Sequence, residues 1–165
     1  MTNGSAENSY SMGPKNTLPR IELPGAELRL IAGSGWGQHA PVQTFSPMFY
    51  AAVEATAATT FALPAEFSER AIYVVDGEVN VGGSTVAPRT VAVFEAGAEV
   101  AISTRGAARI MAFGGAPLDG ERHISWNFVA SSRELIDDAR TRWREQRFPA
   151  VPGETEFIPL PERTN

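Results

Sequence analysis

Few residues of this chain have the chemistry to bind or transform a ligand. There are 2 histidines, His39 and His123, and no cysteine. A transition metal needs about three or four imidazole, thiolate or carboxylate donors converging on one point. The histidines lie on distant segments, so a two-histidine, one-carboxylate site would have to borrow Glu54 or Glu66. We therefore expect no metal, no cofactor and no catalytic residue. His39 follows Gly35-Trp36-Gly37-Gln38 in a Gly-rich loop, and His123 precedes a strand, where a structural hydrogen bond is its expected duty. No Gly-x-Ser-x-Gly elbow sets a serine against either ring. The run Gly33-Ser34-Gly35-Trp36-Gly37 lacks the lysine and helix of a phosphate loop. Strand alternation turns Tyr50, Glu54, Arg70, Tyr73 and Gln43 towards the inside of a barrel. Of these, Tyr50, Glu54, Arg70 and Tyr73, together with His39, form the candidate ligand-binding set, suited to a small aromatic or acidic ligand.

The elements that must hold these groups are short strands. Turn residues separate β-prone runs at Arg20–Leu23, Glu27–Ala32, Met48–Thr56, Thr59–Leu63, Ala71–Val75, Glu78–Val81, Ser84–Ala87, Val91–Phe94, Glu99–Ser103, Ala108–Phe113 and Ile124–Ala130. Within Ala71–Ala87, Asp76-Gly77 and then Gly82-Gly83 suit tight hairpin turns, which predicts a three-stranded, locally connected antiparallel meander. In the last strand Trp126 and Phe128 are expected on one face and Asn127 on the other. Ser131 and Glu134 stand at capping-box spacing, so a helix is predicted over about 132–146 that docks by a stripe of Leu135, Ala139 and Trp143, with Ile136 beside them. Its arginines and acids are expected in water. The proline-punctuated segment 147–161 is expected to lie extended and dock.

Composition bounds the class. The chain has 165 residues, 43% apolar and 20% charged, as expected of one globular domain over 18–165 with a barrel over about 18–130. Residues 1–17, poor in large apolar groups, are expected to form a disordered tail. The net charge of -5 argues against nucleic acid as a direct partner. No apolar run suits a membrane span or a secretory leader, and with no cysteine a cytoplasmic location is expected.

Several stretches carry a family resemblance: Leu30-Ile-Ala-Gly33, Pro41-Val-Gln-Thr-Phe-Ser-Pro47, Ala71-Ile-Tyr-Val-Val-Asp-Gly77, Gly114-Gly-Ala-Pro-Leu118, Arg122-His-Ile-Ser-Trp-Asn-Phe-Val-Ala-Ser-Ser132 and Val151-Pro-Gly-Glu-Thr-Glu-Phe-Ile-Pro-Leu-Pro161. Together they resemble the carboxy-terminal cupin domain of the pirin family. The resemblance implies an all-β cupin, a double-stranded β-helix or jelly-roll-like antiparallel barrel, with one C-terminal α-helix and an extended tail. It also implies a stand-alone half, because the metal-binding domain of the family is the amino-terminal one.

The two cupin metal signatures can be laid on this sequence. Anchoring the first on Gly77 puts Arg70 at its glutamate, with Pro64 and Glu66, or Leu63 and Ala65, at its histidines. Anchoring the second on Gly82 and Pro88 puts Thr90 at its glycine, Val93 at its histidine and Gly97 at its asparagine. The scaffold glycines and proline are kept and the ligands are not, so the cavity is expected to be walled by residues such as Val93 and Ala65. The reading that follows is a metal-free binding or protein-interaction module. It is expected to form a homodimer, or to accept a separate chain in place of the missing amino-terminal domain. The sheet face or the Phe157–Leu160 tail is expected at the contact. The alternative is a small-molecule enzyme of the cupin class, resembling a quercetin dioxygenase acting on an aromatic substrate.

Overall fold

The computed structural model describes residues 17–161. The tail expected over 1–17 lies, apart from Thr17, outside the described residues. The chain forms two compact units, one ending at Pro117 and the other beginning at Leu118.

Among its described residues the first unit is built of strands. In chain order these are β1 (Arg20–Leu23), β2 (Ala26–Gly35), β3 (Gln38–His39), β4 (Met48–Ala55), β5 (Thr59–Ala62), β6 (Glu69–Asp76), β7 (Val79–Val81), β8 (Ser84–Val86), β9 (Val91–Phe94), β10 (Ala101–Thr104) and β11 (Ala108–Gly115). A seven-stranded antiparallel sheet runs β1-β2-β4-β11-β6-β9, with β3 on β2, and a four-stranded sheet runs β5-β10-β7-β8. Alternate residues of each strand supply one core between the sheets, as the period of two requires. Leu28 and Leu30, Phe49 and Val53, Ile72 and Val74, and Ile110 come from the larger sheet, and Phe61, Val79 and Ile102 from the smaller. Burying each of the larger side chains contributes roughly 1.5–3 kcal/mol.

The all-β antiparallel barrel is as expected, and its connections differ from the local meander. Strand β6 pairs with β11 and β9, while β7 pairs with β10 and β8. Asp76-Gly77 is therefore a corner between sheets. Gly77 alone of the two has positive φ, at 87°, whereas a type I′ turn needs it at both central residues. A Cβ at Gly77 would lie 2.5 Å from the Ala107 carbonyl oxygen, so close backbone approach is what calls for glycine there. Gly82 and Gly83, at φ 57° and 84°, do close the β7–β8 hairpin.

In the second unit the single strand expected over Ile124–Ala130 is a hairpin of β12 (His123–Ser125) and β13 (Phe128–Ala130). It reverses at Trp126-Asn127, with Trp126 at φ 56°. Ring contacts of Trp126 with Trp143 at 5.1 Å and Phe128 at 5.6 Å help offset the strain of that backbone, which is of order 1–3 kcal/mol. The helix α1 spans Arg133–Arg144, and Ser132, one residue past the expected cap, accepts from the Leu135 N–H. Its buried residues are Ile136, beside the expected stripe, and Arg140, expected in water, while Leu135 is 53% exposed. Arg140 leaves water because its guanidinium donates to Ser125 Oγ at 2.8 Å. In the segment after the helix, the Ile158 carbonyl accepts from the Trp143 indole N–H and the Phe157 ring stacks on that of Trp143. Among the described residues no helix is long and apolar enough to cross a membrane.

Candidate functional site

The five candidate ligand-binding residues do not converge. Arg70 points into the core of the first unit, 2% exposed, on the same face of β6 as Ile72 and Val74. Its Nη2 donates to the Ala98 carbonyl at 2.6 Å and to the Glu95 carbonyl at 3.4 Å, while its Nε has no hydrogen-bond partner. The guanidinium thereby fastens the turn that follows β9. A buried cation held by carbonyl dipoles is a costly arrangement, acceptable only where the bonds it makes are good ones.

Tyr50, Glu54 and Tyr73 stand on the opposite face from the one expected. In β4 the buried residues are Phe49, Ala51, Val53 and Ala55, so Tyr50 and Glu54 turn outward. In β6 the same alternation turns Tyr73 outward. Alternation alone does not name the inward set in strands such as these, where both faces carry apolar groups. His39 lies on β3, exposed, with Nδ1 2.8 Å from Ser34 Oγ, and Gln43 is exposed in the following loop. His123 is in the second unit, with Nδ1 3.9 Å from Glu121 Oε1.

The outward face has a pattern of its own. One cross-strand row reads Tyr50, Phe113, Ala71 and Val93, and the next reads Ala52, Met111, Tyr73 and Val91. Apolar groups thus cross the sheet to its β9 edge, where Val91 is 52% and Val93 77% exposed. The candidate ligand set contains none of Val91, Val93, Met111 and Phe113. The signal was present in Val91-Ala92-Val93-Phe94, where both alternating sets are apolar and one of them must face out.

The side chains do not fit a resident metal. Among the described residues no three His, Cys, Asp or Glu side chains stand together as a ligand group. Arg70 brings a positive charge to the core, where a metal would want donors. Val93 and Ala65, expected to wall a cavity, are both exposed. The interior is occupied instead by Leu28, Leu30, Phe49, Ile72 and their neighbours, several of them fully buried.

The opposite edge of the sheet is charged. Arg20, Glu22, Glu27, Arg29 and Glu54 line a surface depression beside β1. Glu27 accepts from Arg20 at 2.9 Å and from Arg29 at 3.1 Å. The Arg29 hydrogen bond, and after it that of Arg20, holds the Glu27 carboxyl below the usual carboxylate range. Arg20, Glu27 and Arg29 are thus spent on one another.

A family model, the pirin C-terminal cupin domain, matches residues 50–149. A pirin-like protein of Caulobacter vibrioides is 40% identical over 156 residues, covering 93% of this chain and 53% of the relative. A protein named putative quercetin 2,3-dioxygenase from Pseudomonas aeruginosa is 31% identical over 130 residues, covering 78% of this chain and 41% of its own. The crystal structure of a quercetin 2,3-dioxygenase from Acinetobacter baumannii superposes with a TM-score of 0.76 at 26% identity, over 90% of this chain and 51% of that one. This chain spans about half the length of the curated relatives it matches.

Proposed function

Because this chain belongs to the pirin C-terminal cupin domain family, we propose that it works as a metal-free protein-interaction module rather than as a catalyst. The observation that supports the reading most is the core of the first unit. It is lined mostly by apolar side chains, and its buried cation, Arg70, is engaged through Nη2 with the backbone carbonyls of Glu95 and Ala98. A catalytic barrel needs donors that converge on one centre, and the side chains gathered in this core are mostly apolar. Elemental analysis of the full chain, purified without chelator, tests this directly. Far less than one transition ion per chain is expected, and stoichiometric iron, nickel or manganese would overturn the proposal.

A second reading rests on the names carried by two of the relatives. On that reading the chain acts on quercetin or another small aromatic, with Tyr50 and Tyr73 as orienting groups on the outward face. Depletion of quercetin, followed by absorbance in metal-supplemented buffer with and without the chain, separates the two. The interaction-module reading expects no depletion above the buffer control.

A further inference from the structure

Strand β9 is the last in the seven-stranded sheet, bonded to β6 on one side. Val74 N–H donates to the Thr90 carbonyl at 3.0 Å. By the alternation of an antiparallel ladder, Ala92 and Phe94 then turn their N–H and C=O groups towards β6, and Val91 and Val93 turn theirs to the open edge. The same two residues carry the exposed side chains. Natural sheets protect such an edge with charge, proline or a bulge within the strand, and Val91-Ala92-Val93-Phe94 contains no charge and no proline. Arg89 and Glu95 flank it, both exposed, and among the described residues neither has an ion-pair partner.

We propose that β9 pairs antiparallel with β9 of a second copy of this chain. The proposal rests on the interaction-module reading and names its partner. A two-fold axis perpendicular to the sheet keeps outward side chains outward, so only registers that oppose like-facing residues are possible. The register centred on Ala92 opposes Val91 to Val93 of the second copy, and Val93 to its Val91. That register bonds the edge-facing amides and carbonyls of both valines to one another. At each end of the pair it sets Arg89, in the turn before the strand at φ 65°, on the same side as the exposed Glu95 of the second copy. Hydrogen bonding, apolar contact and charge therefore agree on one self-complementary arrangement. Because the strand is short, the dimer should be concentration-dependent rather than obligate.

Sedimentation velocity on the full chain, from about 1 to 200 μM, reads the equilibrium. A monomer–dimer transition is expected. Val93→Lys, at an exposed position, should keep the circular dichroism spectrum and weaken the dimer by about tenfold or more. Arg89→Glu alone sets like charges at each end of the pair and should also weaken it, while Arg89→Glu combined with Glu95→Arg should restore it. A monomer throughout the range overturns the proposal. So does a dimer indifferent to Val93→Lys, or a double reversal that fails to recover pairing. Metal content of the same samples is a separate readout. A dimer carrying a stoichiometric ion would overturn the module reading and leave the β9 contact, and a metal-free monomer would do the opposite.

Discussion

At one edge of the seven-stranded sheet β1 sets Arg20 and Glu22 at its exposed positions, and at the other β9 sets Val91 and Val93 at the corresponding ones. Neither strand has a second partner among the described residues. β1 is braced from outside, through the Arg20–Glu27–Arg29 ion pairs on the surface. β9 is braced from inside, through Arg70 and the carbonyls of the turn beyond it. Charges at a sheet edge repel an approaching strand because pairing would strip them of water, whereas valines gain from the same approach. On the pairing proposed above, one sheet is closed to addition at its charged edge and open at its apolar one.

The sharpest way to break the comparison is to remove the internal brace. Arg70→Ala deletes charge-assisted bonds to carbonyls in a buried setting and should cost about 3 kcal/mol of unfolding free energy. Arg70→Met, which keeps much of the volume and leaves the carbonyls unpaired, should cost less. Urea unfolding measures both, and amide exchange should show β9 losing protection first in the alanine variant. A loss under about 0.5 kcal/mol would mean that the turn after β9 stands without Arg70.

Next in size is an exchange of edge character. Replacing Arg20 and Glu22 together by Val gives the molecule a second adhesive edge that is not equivalent to the first. Two different adhesive edges allow open-ended association, where one allows a closed dimer. Light scattering is expected to show species larger than a dimer that grow with concentration in this variant and not in the parent chain. If the variant behaves as the parent does, charge is not what guards β1.

Much of this contrast was legible in the sequence. The bounds of β1 and β9 follow from the turn residues around them, and the Gly82-Gly83 hairpin from its backbone requirements. The family resemblance rested on long, specific runs such as Trp126-Asn127-Phe128-Val129. What local chemistry could not supply was sheet partnership. Asp76-Gly77 has the composition of a hairpin, yet β6 finds its neighbours in β9 and β11, and only long-range packing selects them. For the same reason strand alternation alone puts Tyr50, Glu54 and Tyr73 on the wrong face and Arg70 on the right one. An arginine seldom turns inward, and here the carbonyls of Glu95 and Ala98, distant from it in the chain, receive it. Trp126 was read as a strand residue because its positive φ depends on aromatic partners on α1 and beyond, which a local pattern does not reveal.

The smallest expected effect concerns the external brace of β1 and its pH dependence. Glu27 is held below the usual carboxylate range, first by its hydrogen bond from Arg29 and then by that from Arg20. A carboxyl lowered in the folded state contributes stability that is fully present above its unfolded pKa and disappears as pH falls through its folded one. Glu27→Gln should therefore lower the melting temperature slightly at neutral pH. The gap to the parent chain should narrow on acidification and vanish once Glu27 itself is protonated. The side chains are at the surface, so added salt should also narrow it. Melts recorded on dilute protein keep any β9 pairing out of the comparison. Under those conditions Glu95→Gln at the other edge should leave the melt alone and weaken only the dimer. A gap for Glu27→Gln that persisted unchanged into acid would show that β1 is held by packing of Ile21 and Leu23 against the core rather than by its charges.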